Sequence, residues 1–169
     1  MTSQLMIDLL PVDDDVLERL LAVAVADALP GEALPAEAPA ATGPVWTEPR
    51  KEAFRAYHRG CRVSLEAPVP EVTWAVAADG RIAGAARLAL VDDDPAAREV
   101  GLWLGRSHRG RGIAGEVAYW AMAAARTMDA RRLVAGASPD DAAARRALER
   151  IGFELEHRDG ALVGTLTLP

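Results

Sequence analysis

The stretch that decides the fold is Glu99-Val-Gly-Leu-Trp-Leu-Gly-Arg-Ser-His-Arg-Gly-Arg-Gly-Ile-Ala114. From Glu99 to Leu104 apolar side chains alternate with other residues, and this alternation predicts a β-strand. A short loop rich in glycine and arginine follows. Apolar residues at helical spacing then predict a helix from about Gly112 to Met128. The stretch therefore predicts a strand, a basic loop and a helix that follow one another directly.

The basic loop has the features of a binding site for a diphosphate-sized anion. The start of a helix presents unpaired backbone N–H groups and a partial positive charge. Gly110 and Gly112 have no Cβ, so a bulky anion can approach their backbone closely. Side chains with cationic donors surround these glycines: Arg106, His108, Arg109 and Arg111. The loop lacks the Gly-Lys-Ser/Thr ending of a nucleotide P-loop, and no simple βαβ dinucleotide-binding unit surrounds it.

Outside this stretch, hydrophobic periodicity predicts further strands and helices on both sides. Asp79-Gly80 and Asp159-Gly160 predict tight hairpin turns, and Thr47 is the predicted N-cap of a helix. The predicted elements are strands over 5–10, 72–78, 81–91, 132–137, 154–158 and 161–168 and helices over 12–29, 47–65 and 140–151. This order predicts an α/β fold with a mixed, mainly antiparallel central sheet and helices on both faces.

Two segments are predicted to be irregular. Pro30 to Pro44 holds four prolines among alanines and glutamates, a composition that cannot continue a helix. We predict a mobile loop there, either a cover over a substrate site or a passive connector. Asp92 to Pro95 is predicted to form a polar turn. No repeat or linker divides the sequence, so residues 1–169 are predicted to form a single domain.

Composition argues against several classes of function. The chain has a net charge of −6 and a pI of about 5.1, whereas a nucleic-acid-binding protein usually carries a basic patch or stripe. No apolar stretch reaches the length of a membrane span, and the N-terminus does not resemble a signal peptide. We therefore expect a cytoplasmic protein without nucleic-acid or membrane partners. The acidic balance either favours cationic partners or only reflects a soluble surface.

Few residues are of the types that build metal sites and nucleophiles. Cys61 is the only cysteine, so no intrachain disulfide can form. We interpret it as a small buried side chain, with a catalytic thiol as the alternative. His58 and His108 share no metal-ligand spacing with Cys61 or with a second histidine. We expect no metal cofactor.

Two motifs make the chain similar to the GNAT family of N-acetyltransferases. Arg109-Gly-Arg-Gly-Ile-Ala114 resembles the pyrophosphate signature of that family, Arg/Gln-x-x-Gly-x-Gly/Ala. Gly101 to Gly105 resembles its central strand, and Pro139 to Phe153, which ends in Ile-Gly-Phe, resembles its second motif. The resemblance covers roughly residues 72–158. It favours the branch that includes ribosomal-protein N-terminal acetyltransferases and aminoglycoside-modifying enzymes.

The resemblance implies that the chain binds acetyl-CoA. In the family the sheet is splayed after the central strand, and the pantetheine arm lies in the gap like an added strand. Backbone groups of Leu102, Trp103 and Leu104 would hold this arm and polarise the thioester carbonyl. The pyrophosphate would lie on the backbone amides of the loop: Arg109, Gly110, Arg111, Gly112, Ile113 and Ala114.

The reaction that the resemblance implies is direct attack of an amine on the thioester, and the amine must arrive neutral. Glu99, a few residues before the thioester position on the central strand, is the candidate general base. The alternative is an ion-paired glutamate at a strand end. His157 is a lesser candidate, which we interpret as a solvated hairpin residue.

Two positions depart from the pattern of the family. The asparagine that usually opens the last helix and contacts the cofactor corresponds to Asp141, which either contacts the cofactor or only caps the helix. The tyrosine or serine that often returns a proton to the CoA thiolate corresponds to Leu148 and Ala144, and neither can donate one. Either solvent or another residue serves as the acid, or the protein binds CoA without efficient turnover.

Three functions follow from these alternatives. The leading hypothesis is an enzyme that acetylates a primary amine, with a small-molecule amine favoured over a protein N-terminal amine. The second is a non-catalytic module that binds acyl-CoA, and the third is an anion-binding structural domain without CoA affinity. Because many members of the family dimerise, the resemblance also admits a homodimer.

Overall fold

A computed structural model of the chain describes residues 4–35, 43–62 and 71–169. The strands, in chain order, are β1 Ile7–Pro11, β2 Glu71–Ala78, β3 Arg81–Val91, β4 Asp94–Leu104, β5 Arg132–Ala137, β6 Glu154–Arg158 and β7 Ala161–Thr167. The helices are α1 Asp14–Asp27, α2 Pro30–Ala33, α3 Glu48–Gly60, α4 Ile113–Thr127 and α5 Ala142–Ile151. A turn of 3₁₀ helix over Arg106–His108 precedes α4.

The seven strands form one sheet in the order β1-β2-β3-β4-β5-β7-β6. β1 runs antiparallel to β2, and β7 runs antiparallel to both β5 and β6. β4 and β5 are parallel, and their register extends from the pair Ala97–Arg132 to the pair Glu99–Val134, although both strands continue beyond it. This mixed, mainly antiparallel sheet confirms the predicted fold class.

By its internal contacts the chain divides into two compact units, Met1–Ala86 with Leu102–Ile113 and Arg87–Gly101 with Ala114–Pro169. The single domain that the sequence indicates stays a prediction. None of the helices within residues 4–35, 43–62 and 71–169 combines the length and the apolar character of a membrane span.

The core of the first unit is built around α1. Asp13 caps this helix, because its carboxylate accepts a hydrogen bond from the backbone N–H of Val16 at 2.8 Å. The buried face of α1 packs with Phe54 of α3 and with Ala75 and Ile82 of the strands. That face consists of Val16, Leu17, Leu20, Leu21 and Ala24. Burying each large apolar side chain stabilises the fold by roughly 1.5–3 kcal/mol.

In the second unit the Ile-Gly-Phe sequence at the end of α5 has a structural role. Gly152 has a φ of 109°, a left-handed conformation that ends the helix at little cost for a residue without Cβ. The backbone N–H of Phe153 then donates to the carbonyl of Leu148 at 3.0 Å. The Phe153 side chain is buried, as are Leu133 of β5 and Leu162 of β7.

The long helices α1, α4 and α5 and the strands β2, β3, β5 and β6 agree with the predicted elements apart from their ends. Two predicted boundaries differ from the observed ones by five residues each and are wrong. The helix that begins after Thr47 ends at Gly60 and not at Leu65, because the backbone N–H of Cys61 closes it onto the carbonyls of Tyr57 and His58. Residues 63–65 of that prediction lie outside the described residues.

The second wrong boundary is the start of β4. The sequence predicts a turn from Asp92 to Pro95 and a strand that begins at Glu99, but β4 begins at Asp94. Asp92 and Asp93 complete the turn because Asp93 adopts a left-handed conformation with a φ of 63°. Asp94 is instead held in the sheet, where its carboxylate accepts hydrogen bonds from Arg132 of β5 at 2.7 and 2.9 Å.

The irregular segment predicted from Pro30 to Pro44 contains a short helix, α2, so the prediction is wrong over its first residues. Proline is favoured in the first turn of a helix, where its missing N–H costs nothing, and Pro30 occupies that position. The Glu32 carboxylate also accepts a hydrogen bond from the backbone N–H of Leu29 at 2.7 Å. Residues 36–42 lie outside the described residues.

Candidate functional site

The loop between β4 and α4 belongs to the first unit, and its backbone is open. Gly110 and Gly112 have φ values of 74° and 83°, which favour glycine. A Cβ built on either glycine would meet no atom within 4 Å. The loop therefore presents bare backbone at both glycines, as the sequence predicts.

The backbone N–H groups of residues 110–113 have no hydrogen-bond partner among the described residues. Consecutive free N–H groups at the start of a helix form a concave set of donors with partial positive charge. α4 begins at Ile113. The geometry of this loop suits an anion that is bound by main-chain donors.

Asp27, at the C-terminal end of α1, holds the first part of the loop. One carboxylate oxygen accepts hydrogen bonds from the backbone N–H of Ser107 at 3.0 Å and from its hydroxyl at 2.5 Å. These hydrogen bonds from Ser107 lower the pKa of Asp27. A Cβ at Gly105 would lie 2.6 Å from the same oxygen, so glycine leaves room for this contact.

Glu32 of α2 holds the middle of the loop through Arg109. Its carboxylate accepts a hydrogen bond from Nη2 of Arg109 at 3.0 Å, and Nε of Arg109 donates to the carbonyl of Leu104 at 3.1 Å. Burial opposes ionisation of Glu32, but the hydrogen bonds from Leu29 and Arg109 outweigh it and lower the pKa of this carboxyl. Arg109 is therefore engaged on both sides by groups of the protein.

Arg111 is also engaged by a carboxylate. Its Nη2 lies 3.5 Å from Oδ2 of Asp79 in the β2–β3 hairpin, and its Nη1 lies 3.4 Å from Nδ1 of His108. The sequence predicts Arg109 and Arg111 as cationic donors for the anion, and the structure pairs each of them with a carboxylate. Their acidic partners are distant in sequence, so no local pattern could have identified them.

The end of β4 is fixed on its β3 side by a glycine. A Cβ on Gly84 would lie 2.0 Å from the carbonyl oxygen of Trp103, so only glycine permits this approach of the two backbones. The backbone N–H of Gly105 donates to the carbonyl of Ala83 at 2.8 Å. The Trp103 ring packs edge-to-face on Phe54 with 6.3 Å between the ring centroids. These contacts hold Leu102, Trp103 and Leu104 in place.

Glu99 lies in the second unit, in the interior of β4 and not at a strand end. Its carboxylate forms an ion pair with Arg87 of β3. A Cβ on Gly101 would lie 2.4 Å from Nε of Arg87, so this glycine leaves space for the arginine side chain. The Glu99 side chain remains 41% exposed and is open to solvent. The ion-paired alternative describes this contact, and the role of Glu99 as a base stays a prediction.

Asp141 caps α5, because its carboxylate accepts a hydrogen bond from the backbone N–H of Ala144 at 2.9 Å. This is the capping alternative for that position. Asp141, Glu99 and Ala114 lie in the second unit, whereas the predicted residues 102–104 and 109–113 lie in the first. The structure therefore brings together the predicted strand end and loop within one unit.

The histidines and the cysteine lie in different environments. Among the described residues no group of three or more His, Cys, Asp or Glu side chains is placed to hold a metal ion. Cys61 is buried, as predicted. His58 is 1% exposed, its Nδ1 lies 2.9 Å from the hydroxyl of Thr73, and burial lowers its pKa to about 4. His157 is exposed and contacts Arg145.

A family model described as an acetyltransferase (GNAT) domain matches residues 21–154. That span contains the loop, the strand before it and the Ile-Gly-Phe sequence. No curated protein sequence matches the chain.

Solved structures with the same fold include acetyltransferases of several kinds. One is RimJ of Mycobacterium smegmatis in complex with CoA-disulfide, with 17% identity, a TM-score of 0.72, and coverage of 95% of this chain and 81% of that one. Another is RimL, a ribosomal L7/L12 alpha-N-protein acetyltransferase in complex with coenzyme A, with 18% identity, a TM-score of 0.68, and coverage of 96% and 94%. A putative phosphinothricin N-acetyltransferase has 16% identity, a TM-score of 0.64, and coverage of 98% and 99%. At these identities the likeness shows the fold alone.

Proposed function

Because the chain belongs to the GNAT family of acetyltransferases, we propose that it moves the acetyl group of acetyl-CoA to a primary amine on a small molecule. Family membership makes the chain an acetyl-CoA-dependent acyltransferase. The identity of the amine and the roles of individual residues belong to the proposal.

One observation supports the cofactor site more than any other, namely the open backbone of residues 110–113. Their N–H groups are without partners among the described residues, and no side chain would crowd a Cβ at Gly110 or Gly112. A pyrophosphate carries the charge and the acceptor oxygens that such donors bind. The residues present therefore fit the pyrophosphate of CoA.

The end of β4 would position the reacting group. Bound acetyl-CoA supplies the acetyl group as an activated thioester. Backbone groups of Leu102, Trp103 and Leu104 would hold the pantetheine arm and stabilise negative charge on the thioester oxygen as the amine attacks. The close packing of Gly84 on Trp103 fixes these backbone groups before the substrate binds.

Glu99, which precedes these residues on β4, is the proposed general base. An amine that arrives as an ammonium ion must lose a proton before it attacks, and a partly exposed carboxylate can accept that proton directly or through water. The ion pair with Arg87 holds the carboxylate in one orientation. Ala144 and Leu148 offer no proton to the departing thiolate, so we propose that solvent supplies it.

The choice of a small-molecule amine rests on charge alone. The chain has a net charge of −6, which favours the approach of a cationic acceptor. A protein N-terminal amine is the other acceptor within this proposal. RimL is a ribosomal L7/L12 alpha-N-protein acetyltransferase, and its fold is similar to that of this chain.

A non-catalytic acyl-CoA-binding module is the second candidate function. The absence of a proton donor at Ala144 and Leu148 favours it. Such a module would bind acetyl-CoA as the enzyme does but would release no CoA beyond the rate of spontaneous hydrolysis.

The test is CoA release from acetyl-CoA in the presence of a panel of amines, with mass spectrometry of the acetylated product. The panel contains small polycationic amines, amino acids and short peptides with free N-termini. We expect turnover with at least one small amine and slower turnover with the peptides. Faster turnover with peptides would overturn the choice of acceptor, and binding of acetyl-CoA without any turnover would favour the non-catalytic module.

A further inference from the structure

The anion-binding loop is held by acidic residues that lie far from it in sequence. Asp27 engages Ser107, Glu32 engages Arg109, and Asp79 approaches Arg111. Negative side chains beside a site for a negative ligand oppose binding by simple Coulomb repulsion. We therefore expect these acidic residues to have a structural role in the loop, and the contacts of Glu32 define that role most clearly.

Both carboxylate oxygens of Glu32 accept a hydrogen bond, and each donor lies in a different segment. Oε2 accepts from the backbone N–H of Leu29 at 2.7 Å, and Oε1 accepts from Nη2 of Arg109 at 3.0 Å. Arg109 continues the chain of contacts, because its Nε donates to the carbonyl of Leu104 at 3.1 Å. A continuous bridge thus runs from the start of α2 to the end of β4 and passes through the loop.

This bridge uses the guanidinium of Arg109 on two sides. The fork of donors on an arginine is rigid and planar, so two fixed acceptors also fix the position of the residue that carries it. Gly110, the next residue, adopts the left-handed conformation that begins the run of free N–H groups. The position of Arg109 therefore sets where those N–H groups point.

We propose that Glu32 is a positioning residue for the CoA site, which acts through Arg109 to hold the N–H groups of residues 110–113 in the orientation that binds the pyrophosphate. This inference rests on the proposed function, since it takes these N–H groups as the pyrophosphate site. It assigns to Arg109 a bridging contact within the protein, while the backbone donates to the phosphates.

The test is the affinity of the full chain for CoA, measured by titration calorimetry for the parent and for Glu32→Gln. Leu29 and Arg109 donate to different oxygens of Glu32, and in glutamine one of these two positions is an NH2 donor that cannot accept. We expect the Kd for CoA to rise about fivefold, the effect of losing about one partly exposed charged hydrogen bond. The kcat at saturating acetyl-CoA should stay unchanged while the KM for acetyl-CoA rises.

Glu48→Gln is the matched control. It changes the net charge by the same amount at an exposed residue of α3 that pairs with Lys51, and we expect it to leave the Kd unchanged. Simple electrostatics predicts the opposite result for Glu32→Gln, because removal of a negative charge near an anion site tightens binding. A Kd that is lower than that of the parent, or unchanged, would overturn the inference.

Arg109→Lys tests the same bridge without changing the bond between Glu32 and Leu29, so it remains informative if Glu32→Gln does not fold. A lysine keeps the charge but cannot reproduce the fork that reaches both Glu32 and Leu104. We expect a rise in Kd similar to that of Glu32→Gln, and no further rise when the two changes are combined. An unchanged Kd in Arg109→Lys would overturn the bridge, whereas a parent that does not bind CoA would overturn the proposed function itself.

Discussion

Glu99 and Arg87 are joined by an ion pair on neighbouring strands, and Gly101 makes room for it. An ion pair with this exposure contributes little to stability, about 0–1 kcal/mol. The ion pair has more effect on the orientation of the Glu99 side chain, because a carboxylate held by a guanidinium presents its remaining lone pairs in a fixed direction. At the scale of single residues, a substitution in this pair is the most direct test of the proposed general base.

Glu99→Gln should lower kcat about 100-fold, the usual contribution of a positioned general base. The Kd for acetyl-CoA should stay unchanged, because Glu99 lies outside the loop that we propose as the pyrophosphate site. Steady-state kinetics with the best amine measures the first quantity, and calorimetry measures the second. Glu154→Gln, which removes an exposed carboxylate of β6, is the control and should keep the parent kcat. An equal kcat in parent and Glu99→Gln would leave Glu99 as an ion-pair residue only.

His58 gives a prediction for the dependence of stability on pH. Burial lowers its pKa to about 4 in the folded chain, whereas an unfolded histidine titrates near 6.5. Below about pH 6.5 the unfolded state therefore binds more protons than the folded state. The free energy of unfolding falls by up to about 3 kcal/mol as the pH falls towards 4. His58→Phe should show a smaller acid loss, measured by urea unfolding at several pH values. If the parent and the variant lose stability in parallel, the imidazole is not buried as a neutral group.

At the scale of elements, the approach of β3 to the end of β4 depends on one glycine. In Gly84→Ala the new methyl would meet the carbonyl oxygen of Trp103 at 2.0 Å, and a backbone atom cannot yield as a flexible side chain can. We expect a loss of about 3 kcal/mol in the free energy of unfolding. CoA binding should weaken as well, because the backbone at Trp103 belongs to the proposed site for the pantetheine arm.

Denaturant unfolding of Gly84→Ala tests this packing against a matched glycine. Gly60→Ala places a methyl where no atom lies within 4 Å, at the last residue of α3, and it should change stability by less than about 1 kcal/mol. Equal stability of Gly84→Ala and the parent would show that the two strands are further apart than the structure has them.

Local signals in the sequence predict the elements well because the physical causes are local. The Asp-Gly pairs at 79–80 and 159–160 place both hairpins, since left-handed conformations favour these residues. Thr47 marks the start of α3 by its capping hydrogen bond. The sequence does not predict the start of β4, because Asp92 to Pro95 are all turn-forming residues. Only Asp92 and Asp93 form the turn, and Asp94 and Pro95 belong to the strand.

The open backbone of the loop could be predicted from the sequence, but not the residues that hold it. Glycine and arginine at fixed spacing identify the loop because the backbone conformation depends on those residues themselves. Asp27, Glu32 and Asp79 reach it only after the chain has folded, and nothing in their own neighbourhoods indicates a partner. The prolines around Glu32 predict an irregular segment, and this composition gives no indication that the Glu32 carboxylate has a partner.

At the scale of the whole molecule, the architecture of the sheet and the family agree with the predictions from the sequence. The order of elements predicts a mainly antiparallel sheet and the two motifs predict the family, and the seven-stranded sheet and the match to the GNAT domain over residues 21–154 confirm both predictions. The sheet and the family do not predict the identity of the acceptor amine. The choice of a small-molecule amine rests on net charge, whereas the proposed pyrophosphate site rests on the open backbone of one loop.

The central claim is that this loop binds acetyl-CoA, and thermal unfolding with and without acetyl-CoA tests it most directly. The comparison is the parent against a double variant, Arg109→Ala with Gly112→Asp. A ligand at 100 times its Kd stabilises the folded state by about 2.7 kcal/mol, so the parent Tm should rise by about 5 °C or more. The double variant should fold and show no rise. An unchanged parent Tm at saturating acetyl-CoA, or an equal rise in both proteins, would contradict the assignment of the site.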